Sequence, residues 1–292
     1  MDLLEPVFVT QLIIGGLLTG ALYALLACGL NLVFGVMRVI NIAHAELMIM
    51  GSFIALVLFK AVGLHPLVGL LVVIPVMFGF GYLTQRVLIE RVVGAPELMS
   101  LLVTYGLSIV LMNAGLMIFS SSYRSVPVLQ GALLIGDFVI SKPRGVAGLV
   151  AIAVTLGVYA FLERSRLGKA VRAVAEHPEV ATICGIDVRR IRMFTFGLSA
   201  AMAATAGVML SMIYSFSPET GADFIVKCFA IIIIGGMGSF LGALYGGLLL
   251  GVAEALVGGF VSTHWAAAVA YLLLVAVLLV RPTGLKGAAD VR

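Results

Sequence analysis

Seven stretches of this 292-residue chain carry almost no Asp, Glu, Lys or Arg, and each is long enough to cross a bilayer. A membrane helix needs about 20 apolar residues at 1.5 Å each. The runs are Val7–Met37, Val39–Phe59 (broken only by Glu46), Ala61–Gln85, Leu98–Tyr123, Gly145–Leu162, Met193–Pro218 and Cys228–Val280 (broken only by Glu254). The first six predict one helix each. The last spans 53 residues and is too long for one. Apolar residues make up 62% of the chain and charged residues 11%, against about 45–50% and about 25% in soluble domains. So few polar side chains cannot cover a water-facing surface, which excludes a soluble enzyme, a nucleic-acid-binding domain and a disordered chain.

Lys and Arg set the orientation, because they concentrate in cytoplasmic loops. The segment 164–192 is the most basic, with Arg164, Arg166, Lys169, Arg172, Arg189, Arg190 and Arg192. Placed in the cytoplasm, it puts Arg124, Lys142 and Arg144 outside, Arg86 and Arg91 inside, Lys60 outside and Arg38 inside. The tail, with Arg281, Lys286 and Arg292, belongs inside only if the last run crosses three times. The expected architecture is an all-α polytopic bundle of about nine helices (eight to ten), N-out and C-in. It forms a single transmembrane domain over 1–292, with a cytoplasmic loop at 164–192. The N-terminal flank, Asp2 and Glu5, is acidic, and the run behind it is too long for a cleavable signal peptide.

The 164–192 loop has structure of its own. Leu167 to Glu176 is rich in helix formers, and Leu167, Val171 and Val174 mark one face. Pro178 opens a second short helix over Glu179–Cys184, and Gly185 suits the left-handed position after it. Such helices either give a cytosolic protein a rigid handle or lie on lipid headgroups. Ala and Gly, where a lipid-binding helix carries Trp or Phe, favour protein docking. Gly168 and Ala173 are expected to be small because a partner comes close. Arg172 is expected to donate to a docked partner or to its own loop.

Gly235-Gly236-Met237-Gly238-Ser239 falls where the first of the last three crossings ends, and Gly242, Gly246, Gly247 and Gly251 follow. Small residues let helices approach closely. Broken backbone at membrane depth also marks translocation routes. Packing is favoured here over pathway. Two carboxylates lie within apolar runs. Asn41 can cap the helix that starts near His44 and Glu46. Those two either bond a neighbouring helix and bracket a gate, or Glu46 simply reaches headgroup water. Glu254 needs a partner from elsewhere, such as Tyr271 or a group on another subunit. His65 and His264 fall in outer loops, and Trp265 and Tyr123 suit an interfacial belt.

Ser165-Arg166-Leu167-Gly168-Lys169-Ala170-Val171-Arg172-Ala173-Val174-Ala175-Glu176, with Ala181 and Gly185-Ile186, closely resembles the coupling loop of bacterial branched-chain amino acid ABC transporter permeases. Asn41-Ile42-Ala43-His44-Ala45-Glu46 resembles that family's early signature, with Ala45 where the family usually has glycine. The 234–247 glycine motif, Ala253-Glu254-Ala255-Leu256 and Pro282-Thr283-Gly284 follow in the family's order, so the resemblance runs from about residue 8 to residue 285. The pattern is similar to the shorter of the two permease types.

The resemblance implies a non-catalytic subunit in a bacterial inner membrane. It pairs with a second permease, two cytoplasmic ATPases that hold ATP and Mg, and a periplasmic binding protein. Coupling falls to Leu167, Gly168, Arg172, Ala173, Glu176 and Gly185. Gate or pathway candidates are Asn41, His44, Glu46, Gly235, Gly236, Gly238, Ser239 and Glu254. The chain has no phosphate-binding Gly-x-x-x-x-Gly-Lys-Ser/Thr motif, no Ser/His/Asp set and no Arg-rich voltage-sensor helix. Cys28, Cys184 and Cys228 lack metal-ligand spacing and imply no disulfide framework. No cofactor, metal or nucleic acid is expected. Urea, amides or aromatic acids are alternative substrates. An ion-coupled transporter should carry paired intramembrane acids and bases, and a channel should have a lined pore.

Overall fold

The computed structural model describes residues 6–136 and 138–280. The helices are α1 (Pro6–Met37), α2 (His44–Val62), α3 (Pro66–Val87), α4 (Glu97–Phe119), α5 (Lys142–Arg164), α6 (Arg166–Glu176), α7 (Pro178–Ile183), α8 (Val188–Ile213), α9 (Gly221–Gly235), α10 (Phe240–Phe260) and α11 (Thr263–Val280). Seven of them are long and apolar enough to cross a membrane: α1, α2, the α3 region, α4, α5, α8 and α10. Lipid cannot satisfy a bare peptide group, so apolar runs of this length close their hydrogen bonds within helices. The protein is a multi-pass, all-α membrane bundle. The last apolar run resolves into three helices, but the first of them begins at Gly221, upstream of the run. Lys227, taken from sequence as a boundary charge, therefore lies inside α9. The tail basic residues and Pro282-Thr283-Gly284 lie outside the described residues.

α8 is the hub. It is 89% buried over its most apolar window and packs on α1, α2, α3 and α5. α4, at 6%, lies on the edge. Small residues allow the central crossings. A methyl group on Gly20 would sit 2.7 Å from the Gly247 carbonyl oxygen, and one on Gly16 would sit 2.8 Å from that of Gly251. The α1–α10 contact is therefore backbone on backbone, and the glycines of α10 serve packing, as favoured from sequence.

Two segments depart from expectation. The helix expected over 39–59 starts five residues late, at His44, after a non-helical stretch that follows Arg38. His44 then bonds Leu26 of α1, which lies eleven residues before the end of that helix. At 1.5 Å per residue that is about 16 Å from that end of α1. Between α4 and α5, where sequence gave only an outer loop, β1 (Ala132–Ile135) pairs antiparallel with β2 (Phe138–Ser141). Gln11 of α1 pins this hairpin, its amide bonding both the Val139 carbonyl (3.0 Å) and the Val139 N–H (3.3 Å). His65, expected in a solvated loop, instead caps α3 by accepting from the Leu67 N–H at 3.3 Å.

Candidate functional site

The 164–192 loop folds as a clamped helix pair. Ser165 caps α6 by accepting the Gly168 N–H at 2.8 Å. Val171, Val174 and Ala181 are buried beneath the pair. Gly185 takes the left-handed conformation (φ 79°) that closes α7, as expected. Asp187 then caps α8 by accepting from the Arg190 N–H.

The expectations for Leu167, Gly168 and Ala173 change here, while Arg172 takes the internal one of its two expected roles. Leu167 is 48% exposed, and Gly168 takes its place on the inward face with Val171 and Val174. Gly168 is small because the main chain of Leu162, at the end of α5, occupies the space of a side chain, not because a partner approaches. Arg172 turns inward. It donates to the Leu162 carbonyl (2.9 Å) and the Glu163 carbonyl (3.3 Å), and pairs with the Glu163 carboxylate at 2.8 Å. A guanidinium on the last carbonyls of a helix satisfies orphan acceptors and complements the negative helix end. Ala173 is half-buried against the core, so its size too is explained within the chain. Facing away from the bundle are Leu167, Glu176, Val180 and Ile183, the last 85% exposed.

The early signature surrounds the start of α2. Thr104 of α4 fastens the non-helical stretch, its hydroxyl donating to the Ile40 carbonyl (2.9 Å) and accepting from the Ile42 N–H (3.2 Å). Asn41 does not cap α2. Ala43 holds that position with no side-chain cap, and the Asn41 amide is fully buried with no hydrogen-bond partner among the described residues. His44 is also buried. Its Nε2 faces the Leu26 carbonyl at 2.9 Å, which assigns the proton to that nitrogen, because a carbonyl only accepts. Its Nδ1 lies 3.5 Å from Ser199 of α8, whose hydroxyl donates to the Gly29 carbonyl. His44 thus bonds neighbouring helices, one of its two expected roles.

Glu46 does not reach headgroup water. It is 5% exposed and lies beside Ser108 Oγ at 3.4 Å and against Gly221, the first residue of α9. Ser108 is eleven residues into α4, again about 16 Å from that helix's end.

The late glycine motif sits elsewhere. α9 ends at Gly235, and Gly236 and Gly238 adopt positive φ (96° and 85°) to turn the chain into α10. Asn31 of α1 holds this turn, donating to the Ser239 carbonyl (2.7 Å) and accepting from the Gly238 N–H (2.7 Å). Ser239 caps α10 through the Gly242 N–H. Gly235, Gly236, Gly238 and Ser239 are thus a packed corner at the opposite end of α9 from Glu46, about 21 Å away along that helix. Asn31 was invisible in the sequence, as one polar residue in a long apolar run.

Glu254 has a partner that differs from the one expected. Tyr23 of α1 donates to its Oε2 at 2.9 Å, and Lys227 of α9 donates to the same oxygen at 3.1 Å and lies 2.9 Å from Oε1. Lys227 also donates to the Tyr23 hydroxyl (3.0 Å) and sits over that ring. Glu254 is therefore paired with a base inside the bundle. A further pair was also missed: Glu90 accepts from Gln85 (2.9 Å) and lies 3.6 Å from Arg192.

Comparison with known proteins places this architecture. The model of the branched-chain amino acid transport system permease component matches residues 12–278. The chain belongs to this permease family. It is 38% identical to the high-affinity branched-chain amino acid transport system permease protein BraD of Pseudomonas aeruginosa, over 96% of each chain. The permease protein LivH of Escherichia coli is 33% identical over 96% of each chain. A probable LivH of Methanocaldococcus jannaschii is 30% identical over 94% of this chain and 91% of that one. Among solved structures, PsaBC from Streptococcus pneumoniae in complex with Fab is similar with a TM-score of 0.48 and 12% identity, over 94% of this chain and 92% of that one. The permease family accounts for both the membrane bundle and the ordered loop.

Proposed function

We propose that this chain is a membrane permease subunit of a binding-protein-dependent ABC importer in a bacterial inner membrane, carrying branched-chain or related amino acids. Two cytoplasmic ATPases supply ATP hydrolysis, a periplasmic protein delivers substrate, and a second permease completes the pathway. The names of the full-length relatives support the substrate class. The observation that carries the coupling role is the α5–α6 clamp. Gly168 lies against the main chain of Leu162, and Arg172 ties α6 to the last carbonyls of α5. A load on Leu167, Val180 or Ile183 therefore moves α5 with α6 instead of bending a loose loop. Asn41, His44 and Glu46 belong to the gate region in this reading. Glu254 and the 235–239 corner keep the bundle in shape.

Ile183→Asp tests the docking surface. The change lies outside the apolar bundle, so the permease should still insert and fold, while capture of the ATPase subunits should fall. Normal ATPase capture and normal transport would remove the docking role. The buried Lys227–Glu254 pair is what an ion-coupled carrier would need, so uptake by the permease alone under a proton gradient would favour that second reading.

A further inference from the structure

A cleft of about 270 Å³ opens between α2 and α4. Its walls are apolar and include Ile49, Phe53, Met112, Ala114 and Phe119, while Glu46 alone contributes a charged group. The volume is close to the lower end of ligand pockets, about 300–1,000 Å³, and suits a molecule of amino-acid size. Glu46 is under-partnered. An ionised carboxylate offers about four acceptor sites, and among the described residues a single long hydrogen bond, from Ser108 at 3.4 Å, meets them. Among the described residues no Lys, Arg or His forms an ion pair with it. A carboxylate at membrane depth is costly without a cationic partner. Phe53 and Phe119 stack at 4.1 Å and give the cleft a rigid wall. The first turn of α9, whose N-cap Thr220 makes no side-chain cap, begins at Gly221 against the same carboxylate. That places the positive end of a helix dipole beside it.

We infer that this cleft is a transit subsite for the transported amino acid, with Glu46 taking the α-ammonium group and the apolar walls taking the aliphatic side chain. The inference rests on the import function proposed above. A branched-chain amino acid is a zwitterion: its ammonium pairs with Glu46, its carboxylate faces the positive first turn of α9, and its hydrocarbon end meets the apolar walls. A lipid acyl chain fills apolar space but leaves Glu46 without a counter-charge.

The test uses the complete transporter in liposomes, with ATP inside and leucine-loaded binding protein outside. Cys184 is exposed and is replaced by Ser, while Cys28 and Cys228 are buried and stay. Ala114→Cys then places a thiol in the cleft, and a water-soluble methanethiosulfonate reports its accessibility. Leucine turnover should slow modification at position 114. E46Q should reduce that protection and raise the apparent KM by about tenfold, the loss of one bond to a charged group. E46D keeps the charge and should retain most of the protection. If E46Q fails to assemble, protection in the Glu46 background still decides. Modification at the same rate with and without leucine, in vesicles that import leucine normally, overturns the subsite and leaves the import function standing. No modification at all in transporting vesicles also overturns it, since the cleft is then filled by lipid or by another chain. Vesicles that import no leucine with all partners present overturn the import function instead.

Discussion

Removing one member of the Tyr23–Lys227–Glu254 cluster should cost more than removing two. The Lys227 and Glu254 side chains are 18% and 11% exposed, so little water reaches either. Glu254→Gln leaves the ammonium of Lys227 beside a neutral amide. It keeps a hydrogen-bond acceptor for Tyr23, worth about 1 kcal/mol, but loses the counter-charge. Breaking a buried pair from one side costs about 3–5 kcal/mol. Lys227→Met should cost a similar amount by stranding the carboxylate. The double variant removes both charges and replaces the lysine with an apolar chain of similar length. It should lie within about 1–2 kcal/mol of the parent, because paired charges are often nearly neutral relative to apolar replacements. Unfolding of the purified permease in lipid nanodiscs measures all four proteins, and the double-mutant cycle isolates the coupling. Single costs that simply add, or a Glu254→Gln protein as stable as the parent, would refute an ion pair that holds α1, α9 and α10 together.

Three further outcomes follow from the packing. Gly168→Ala should detach α6 from α5 and abolish coupling even though the permease still inserts, read as faster hydrogen exchange over 166–176 with unchanged exchange in α8. Arg172→Lys should behave nearly as badly as Arg172→Ala in the same exchange assay, because an ammonium cannot span two carbonyls and a carboxylate. The arginine and Glu163 side chains are 40% and 48% exposed, so the solvent-screened ion pair contributes little and the carbonyl bonds carry the effect. For orientation, a cysteine at position 142 should react with an impermeant thiol reagent applied outside intact cells, and one at 169 should not; the reverse pattern would invert the expected topology.

The helices were legible because charge-free length is a strong signal, and the α6–α7 pair was legible because helix formers fill 167–176 and Pro178 and Gly185 bracket α7. What escaped was tertiary. Lys227 was read as the edge of a run because a charge usually is one, but Glu254 of another helix neutralises it inside the bundle. The non-helical stretch after Arg38 was hidden because its residues are nearly as apolar as a helix, and the Thr104 hydroxyl of α4 supports its Ile40 and Ile42 backbone groups. Gly168 was correctly singled out but given the wrong contact, and for Arg172 an internal and an external contact were both left open, since sequence cannot tell an external surface from the end of the preceding helix. The β1–β2 hairpin has only four residues per strand and depends on a distant glutamine, Gln11, for its anchor.

The central claim, an importer subunit driven by ATPases through the 164–192 helices, is tested most directly by uptake of labelled leucine into liposomes holding this chain, its permease partner and the ATPases. The account predicts uptake that requires internal ATP and loaded binding protein, and that is lost in Ile183→Asp. Uptake that proceeds without ATP or without the ATPase subunits would contradict it.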